Sequence, residues 1–194
     1  MSEAWVVNAS PLILFSRIAR LDLIERLAPA ILIPNAVIEE VRAGQHKDRT
    51  AATALEWARR YRVADIAVAT RIEHWDLGLG ESQVIAHCVD GSRWAVLDDR
   101  AARRCAVAHN VPVIGTLGVV LRSKKNRQIE SARPLVIAEI AFGLERMPRS
   151  KRRSALQARF GLLCAEIPRA EWTDCREPCV RAYKSHARTP RYSH

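Results

Sequence analysis

The chain has 194 residues, 48% hydrophobic and 27% charged, which is typical of a globular protein whose core needs no disulfide staples. No apolar run is long enough to cross a membrane, no secretory signal is visible, and the five cysteines are odd in number, so we expect a cytoplasmic protein with free thiols. The net charge is +10, which favours a nucleic-acid partner, although a solvated basic face is the alternative.

Short β-branched runs alternate with stretches of helical periodicity through the first two thirds of the chain. The predicted strands lie at 4–8, 30–33, 65–69, 94–97 and 111–115. The predicted helices lie at 11–20, 21–27, from Pro34 onward, and at 51–61, 81–89, 100–109 and 117–125. This alternation predicts an α/β fold with a central, mainly parallel sheet covered on both faces. Ligands gather at the carboxyl ends of such strands, where Asn8, Asp98 and Thr116 fall.

The pattern changes after residue 130. Two helices are predicted at 135–147 and 151–165, and the polar, basic stretch from 172 to 194 predicts poor order. Residues 131–194 carry 13 Lys and Arg against 6 Asp and Glu, so most of the positive excess lies there. We therefore expect a domain over residues 1–130, a helical C-terminal extension over 131–166, and a basic tail over 167–194.

Four short segments place a carboxylate or carboxamide where a strand ends or a helix begins. They lie at 6–13, 33–41, 79–82 and 96–100. Hard cations such as Mg²⁺ select oxygen ligands of this kind, so four such segments in one small domain suggest a metal site. The first of them carries Asn8, a neutral carboxamide, where a fully acidic set would have Asp.

An ordered series of motifs runs through residues 4–130. It consists of VNASPLI at 7–13, IP at 33–34 followed by Val37 and Glu40, LGE at 79–81, LDDRAAR at 97–103 and VIGTLG at 113–118. In this order the series resembles a prokaryotic branch of the PIN-domain superfamily that is related to VapC-type toxins. The resemblance implies a PIN-like three-layer α/β/α fold and a ribonuclease that depends on Mg²⁺ or Mn²⁺. It also implies a cognate antitoxin, since VapC toxins cut RNA and are silenced in that way.

The resemblance assigns the site residue by residue. The positions of the four acids, which are both catalytic and metal-binding, fall on Asn8, Glu40, Glu81 and Asp98. Three further residues are secondary members of the site, namely Asp99, Ser10 and Thr116. Asn8 is the departure from the family pattern, because it can offer a carbonyl oxygen to a metal but brings no charge. The arginines nearest to this acidic pocket are candidates for holding a substrate phosphate, and they are Arg100, Arg103 and Arg104.

A weaker second resemblance begins after the first domain. The stretch VIAEIAFGLERMP at 136–148, with basic residues at 152–153 and Leu156, is similar to the segment around the second acid of VapC toxins. Glu139 would then be the lone acid of a mostly missing second PIN domain. One interpretation is a fusion remnant that serves as a basic helical extension. The other is a pair of amphipathic helices whose similarity is fortuitous.

Each candidate also has an ordinary structural role. Asn8 can bond the turn after a strand, and Ser10 can cap a helix that begins at Pro11. Glu40 can be surface charge, and Glu81 lies in a first helical turn, where an acid favours the helix dipole. Asp98 or Asp99 can cap the helix near residue 100, and Thr116 the next one. The joint, ordered occurrence of these residues favours the site.

The leading hypothesis is therefore a metal-dependent endoribonuclease of the VapC-like toxin type. We expect it to act on RNA, to meet a cognate antitoxin and to form a homodimer. One alternative is a nucleic-acid-binding or regulatory PIN-like protein with weak or no cleavage. Another is a degenerate toxin that acts through antitoxin contacts.

Overall fold

Five short strands form one all-parallel sheet in the computed structural model, which describes residues 4–89, 91 and 93–136. The strands are β1 (Ala4–Val7), β2 (Ala30–Pro34), β3 (Arg62–Val63), β4 (Trp94–Val96) and β5 (Val113–Ile114). Their order across the sheet is β3-β2-β1-β4-β5, so β1 is the central strand. In the register of the sheet, Trp5 of β1 lies between Ile31 of β2 and Trp94 of β4.

Helices follow the strands and cover the sheet. They are α1 (Ala9–Arg17), α2 (Asp22–Leu27), α3 (Asn35–Ala43), α4 (Ala51–Arg59), α5 (Thr70–Glu73), α6 (Leu79–Ala86), α7 (Arg100–Ala108) and α8 (Thr116–Lys125). The chain builds the sheet outward from β1 in one direction and then in the other. In sheets of this topology, right-handed crossovers in opposite directions place helices on opposite faces. The predicted three-layer α/β/α fold is confirmed, and its described sheet is wholly parallel.

The core lies on both faces of β1. Val6 and Val7 are fully buried although they point to opposite faces, and the largest fully buried side chains are Trp5 and Phe15. A parallel sheet with both faces covered selects continuous apolar strands of this kind. β1, the strand that ends at the candidate site, is therefore buried along most of its length.

The first helix begins earlier than predicted. It starts at Ala9 and ends at Arg17, and Asn8 takes the N-cap position with extended backbone angles. Ser10 accordingly lies inside the first turn, so its predicted role as the N-cap is wrong. The chain then turns through Ala19, whose φ of 52° is left-handed, and this turn separates α1 from α2.

The predicted strand at 65–69 is wrong, and β3 lies earlier, at Arg62–Val63. The Ile66 main chain bonds a side chain instead: its N–H donates to Gln83 Oε1 at 3.0 Å, and its carbonyl accepts from Gln83 Nε2 at 2.8 Å. Asp65 Oδ1 accepts from the Ala36 N–H at 3.0 Å, at the start of α3. The short apolar run therefore belongs to a loop that α6 holds through the polar atoms of one side chain.

The chain divides into two compact units, Met1–Ala132 and Arg133–His194. Residues 133–136 are helical, and residues 137–194 lie outside the described part of the chain. The rest of the predicted helices at 135–147 and 151–165, the basic tail and the segment around Glu139 fall there, so they stay predictions. In the part that the structure describes, no helix combines the length and the apolar character that spanning a bilayer requires.

A partly buried ion pair between Arg17 and Asp48 links α1 to the segment just before α4. Arg17 Nε donates to Asp48 Oδ2 at 2.6 Å, while the N–H and hydroxyl of Thr50 both donate to Asp48 Oδ1, at 2.9 and 2.8 Å. Burial raises the pKa of the Asp48 carboxyl, but the hydrogen bonds from Thr50 and the charge of Arg17 together outweigh it, so the pKa is lowered overall. The carboxylate form therefore stabilises the folded chain.

The first prediction concerns the pH dependence of this contact. Because the folded pKa lies below the ordinary value of 3.8, the contribution of Asp48 is complete above that value and is lost as the pH falls through the folded pKa. We expect Asp48→Asn to lower the free energy of unfolding by about 1–2 kcal/mol at pH 7.

This difference should shrink as the pH falls below 4, and urea denaturation between pH 3 and pH 7 measures it. The exposed Glu56→Gln is the control, since it removes a carboxylate from α4 without touching this network. A difference that stayed constant over the whole range would contradict the assignment.

Candidate active site

Two neighbouring strands deliver candidate residues to the same edge of the sheet. Asn8 directly follows β1, and Asp98 comes two residues after β4. The Asn8 N–H donates to the Val96 carbonyl at 3.2 Å, which continues the pairing of the two strands past the end of β1. The order of the strands reverses between β1 and β4, and open parallel sheets bind their ligands at such a switch point.

Asn8 is held by Glu81 from α6. Asn8 Nδ2 donates to Glu81 Oε1 at 3.0 Å, and only 1% of Asn8 is exposed. An ionised carboxylate only accepts hydrogen bonds, so the amide nitrogen must face Glu81 and the amide oxygen must face away. That oxygen, Asn8 Oδ1, is buried and has no hydrogen-bond partner among the described residues. A buried acceptor without a partner costs about 1–3 kcal/mol, which suggests that it serves a ligand.

Glu40 reaches the same place from α3. A Cβ atom added at Gly80, the second residue of α6, would collide with Glu40 Oε2 and would lie 3.2 Å from Asn8 Oδ1. Both oxygens therefore lie beside the bare α carbon of Gly80. Glu40 follows the fully buried Val37 by three residues, so it stands at the rim of the core face. Glu40 and its neighbour Glu39 are both exposed, and Glu39 pairs with Arg42 at 2.6 Å, as surface charge does.

Asp98 is held by the first residue of α8. The Thr116 N–H donates to Asp98 Oδ1 at 2.8 Å, and the Thr116 hydroxyl donates to Asp98 Oδ2. Thr116 is fully buried, so this contact fixes the carboxylate at the positive end of the helix. Asp98 thus contacts the start of α8, and Thr116 orients it rather than capping α8 itself, because the N-cap is Gly115. Each carboxylate oxygen keeps a further lone pair for a ligand.

Asp99 and the three candidate arginines differ in their positions. Asp99 is the N-cap of α7, where its side chain accepts from the Ala102 N–H at 2.9 Å, so the ordinary structural role holds for it. Arg103 is half-buried and donates to the Leu97 carbonyl at 3.5 Å. Arg100 and Arg104 lie on the exposed surface of the same helix.

Arg103 lies close to Asp98 above a second glycine. A Cβ atom added at Gly115 would lie 2.5 Å from Arg103 Nη1 and 3.1 Å from Asp98 Oδ1. Arg103, which was predicted to hold a substrate phosphate, contacts the Leu97 carbonyl and lies near Asp98. The glycines of the LGE and VIGT motifs are Gly80 and Gly115, and their lack of a side chain permits both close approaches.

The predicted site residues thus form two groups. Asn8 and Glu40 meet at Gly80, and Glu81 bonds Asn8, whereas Asp98 and Thr116 meet next to Gly115 with Arg103 beside them. Within the described residues, no three Asp, Glu, His or Cys side chains are close enough to form a metal cage. Mg²⁺ commonly binds through one or two carboxylates, keeps several waters and completes its shell with substrate phosphates. The orphaned Asn8 Oδ1 and the adjacent Glu40 Oε2 fit a cation of that kind.

A doubly wound parallel sheet with carboxylates and a carboxamide at its switch point fits a PIN-type nuclease fold. Residues 4–156 match the family model DUF3368, described as a PIN domain, and the chain belongs to this family. PIN domains are generally nucleases that use divalent metal ions. The matched range extends beyond residue 130, the predicted end of the first domain. No curated protein matches the chain.

The second prediction tests the close approach at Gly80. Gly80→Ala should displace the Glu40 carboxylate and crowd Asn8 Oδ1, and it should therefore weaken Mn²⁺ binding by about tenfold or more. The free energy of unfolding should change little, since Glu40 ends a flexible side chain and Ala gains about 0.5–1 kcal/mol over Gly inside a helix. Calorimetric titration with Mn²⁺ and urea denaturation measure the two effects.

Gly44→Ala is the matched control for this variant. Gly44 follows the same helix α3 that carries Glu40, its φ is −82°, and a Cβ there would make only ordinary contacts of 3.6 Å or more. It should leave Mn²⁺ affinity unchanged. Equal Mn²⁺ affinity in both variants would show that Gly80 does not hold the two oxygens together.

Proposed function

We propose that the chain is an endoribonuclease of the VapC-like toxin type that uses Mg²⁺ or Mn²⁺. The observation that carries the proposal is the buried Asn8 Oδ1 without a described partner, which lies beside Glu40 Oε2 at the switch point of a PIN fold. Elsewhere in the described core, an arrangement of this kind would cost stability without benefit. At this edge it is a ready pair of oxygen ligands for a hard cation.

The proposed roles follow from the two groups of side chains. Asn8 and Glu40 would hold the cation, which neutralises phosphate charge and activates water when it is bound. Asp98, fixed by Thr116, would accept a hydrogen bond from the attacking water and orient it toward the phosphorus. Arg103, on the other side of Gly115, would offer positive charge to the phosphate oxygens. The hydrolysis breaks one P–O bond of the RNA and forms one with the oxygen of water.

The replacement of an acid by Asn8 changes the electrostatics of this site rather than its geometry. A carboxamide keeps a carbonyl oxygen for the cation, and it removes one negative charge from a place where Glu40 and Glu81 already lie close. Fewer negative charges weaken the attraction to a cation, and they also weaken the repulsion of an approaching phosphodiester. We therefore expect cleavage to need a higher cation concentration than an all-acid site would.

Arg100 and Arg104 extend the proposed RNA contact along α7. They lie one helical turn apart, both are exposed, and both flank the helix start next to Asp98. Arginine pairs with phosphate through two parallel hydrogen bonds, so this surface suits a strand that enters the site. The net charge of +10 would draw RNA toward the protein over a longer range.

A second candidate is an RNA-binding PIN protein with weak or no cleavage. It is favoured by the neutral Asn8 and by the separation of the acids into two groups among the described residues. A cognate antitoxin and a homodimer remain parts of the toxin proposal, as does a degenerate toxin that acts only through the antitoxin. Binding without turnover, or a stable complex with a small protein from the neighbouring gene, would identify these cases.

The third prediction separates cleavage from binding. The native chain should cleave structured RNA with Mg²⁺ or Mn²⁺ and should stop when EDTA is added. Glu40→Ala and Asp98→Asn should each lower the rate by about 100-fold or more, which corresponds to about 3 kcal/mol of barrier. Single-turnover cleavage of labelled RNA measures this.

Glu39→Ala is the matched control, since it removes an exposed acid next to Glu40 and should cleave like the native chain. RNA binding without cleavage by the native chain would favour the second candidate. Full activity in both site variants would refute the assignment of the site.

The fourth prediction concerns the arginines of α7. In a Glu40→Ala background, which prevents cleavage, Arg100→Ala and Arg104→Ala should each weaken binding to single-stranded RNA. Each should also reduce the slope of log affinity against log salt by about 0.7, as the loss of one phosphate contact does. Arg42→Ala, an exposed arginine of α3 paired with Glu39, is the control. Unchanged slopes in both α7 variants would place the RNA elsewhere.

A further inference from the structure

We propose that Glu81 is a positioning residue for Asn8 rather than a direct metal ligand. In this arrangement the carboxylate of Glu81 locks the Asn8 amide, so that the amide oxygen faces Glu40 and the cation site is assembled before any cation binds. The inference rests on the proposed metal-dependent function and deepens it. It reassigns one of the predicted ligands and gives a physical reason for the carboxamide at position 8.

The orientation of the Asn8 amide is fixed from one side only. Its nitrogen donates to Glu81 Oε1 at 3.0 Å, and a flipped amide would place two acceptor oxygens at that distance. Such a flip would lose a charge-assisted hydrogen bond and create a repulsion in its place. Because Asn8 is 1% exposed, water cannot relieve that cost. Glu81 therefore determines where Asn8 Oδ1 points, and Oδ1 points toward the space beside Gly80 and Glu40 Oε2.

The second oxygen of Glu81 is turned away from this space. A Cβ atom added at Gly78, the N-cap of α6, would collide with Glu81 Oε2. The two oxygens of Glu81 therefore face different groups: Oε1 faces the Asn8 amide, and Oε2 faces Gly78 at the start of α6. The helix start favours a negative charge at this position. One oxygen of Glu81 serves Asn8, and the other lies over the helix start.

The charge of the pair explains why a carboxamide suits this position. An aspartate at position 8 would set a second carboxylate about 3 Å from Glu81, and like charges so close repel strongly unless a cation lies between them. With Asn8 the same contact is an attraction. The native pair can therefore form in the absence of metal, whereas an acidic pair would need the cation to assemble.

The first experiment compares two substitutions at position 81 by calorimetric titration of the full chain with Mn²⁺. Glu81→Gln keeps an amide oxygen that can still accept from Asn8 Nδ2, so this variant should bind Mn²⁺ within about threefold of the native affinity. Glu81→Ala removes the acceptor and should lose about 10–100-fold, the usual cost of removing a group that orients a ligand. Glu39→Ala should behave as the native chain does.

A direct ligand role predicts a different result. If Glu81 bound the cation itself, Glu81→Gln would lose as much affinity as Glu81→Ala, and that result would overturn the inference while leaving a metal-dependent nuclease intact. If the native chain bound no Mn²⁺ at all, the proposed function would fall together with the inference. The two failures are therefore distinguishable in one set of titrations.

The second experiment tests the contact between Asn8 and Glu81 in the absence of metal, by thermal unfolding in EDTA at pH 8. Asn8→Asp should lower Tm by about 4 °C, because the two facing carboxylates would repel each other. The double variant Asn8→Asp with Glu81→Gln exchanges the amide and the carboxylate, so it should restore the hydrogen bond and most of Tm. Adding Mn²⁺ should raise the Tm of Asn8→Asp more than that of the native chain.

Two outcomes of the second experiment would overturn the inference. One is an Asn8→Asp variant as stable in EDTA as the native chain, since the repulsion would then be absent. The other is a double variant that is no more stable than Asn8→Asp alone, because the exchanged pair would then have formed no bond. A general loss of stability through poor packing would not be rescued by Glu81→Gln, so the rescue distinguishes the bond from a structural defect.

Discussion

The pairing of β1 with β4 is the contact on which the rest of the site depends. β1 is the central strand, with β2 on one side and β4 on the other, and the Asn8 N–H extends its ladder to the Val96 carbonyl. The chain adds β2 and β3 on one side of β1 and then crosses over to add β4 and β5 on the other side. In such sheets a crevice lies at the carboxyl edge between the two strands where the direction reverses, here β1 and β4. Asn8 lies on one side of this crevice and Asp98 on the other. The helices then add their side chains to a position that the strands have already set.

The charges at this edge are restrained by protein contacts. Glu81 accepts from Asn8, Asp98 accepts twice from Thr116, and the Arg103 guanidinium lies beside Asp98 above Gly115. A cluster of acids with no such contacts would be held apart by repulsion until a cation arrived. Here hydrogen-bond donors and the Arg103 guanidinium offset part of that repulsion in place of a cation. The arrangement is therefore compatible with a folded protein at low cation concentration.

The sequence predicted the fold well because the relevant signals are local. Buried parallel strands read as apolar runs, and the order of the motifs identified which strand ends carry polar residues. The sequence did not reveal that the Gln83 side chain replaces a strand partner for Ile66, because that contact joins residues far apart in the chain. It also did not reveal that Glu40 and Asn8 meet at Gly80, or that Arg103 turns toward Asp98. Those contacts depend on helix packing and side-chain conformation; a motif glycine permits a close approach but does not specify which side chains make it.

The division of the site into two groups has a consequence for how a cation and RNA would act on each other. Two protein oxygens hold a cation weakly, and a phosphate of the RNA can supply the ligands that the protein lacks. Each partner would then raise the affinity for the other by the same factor, as linkage requires. Gly80 lets Glu40 and Asn8 approach each other, and Gly115 does the same for Arg103 and Asp98, because a Cβ atom at either position would collide with one of these side chains. A nuclease built in this way would assemble its complete reaction centre only with substrate in place, and the neutral Asn8 would make cation binding depend more on the ligands that the substrate supplies.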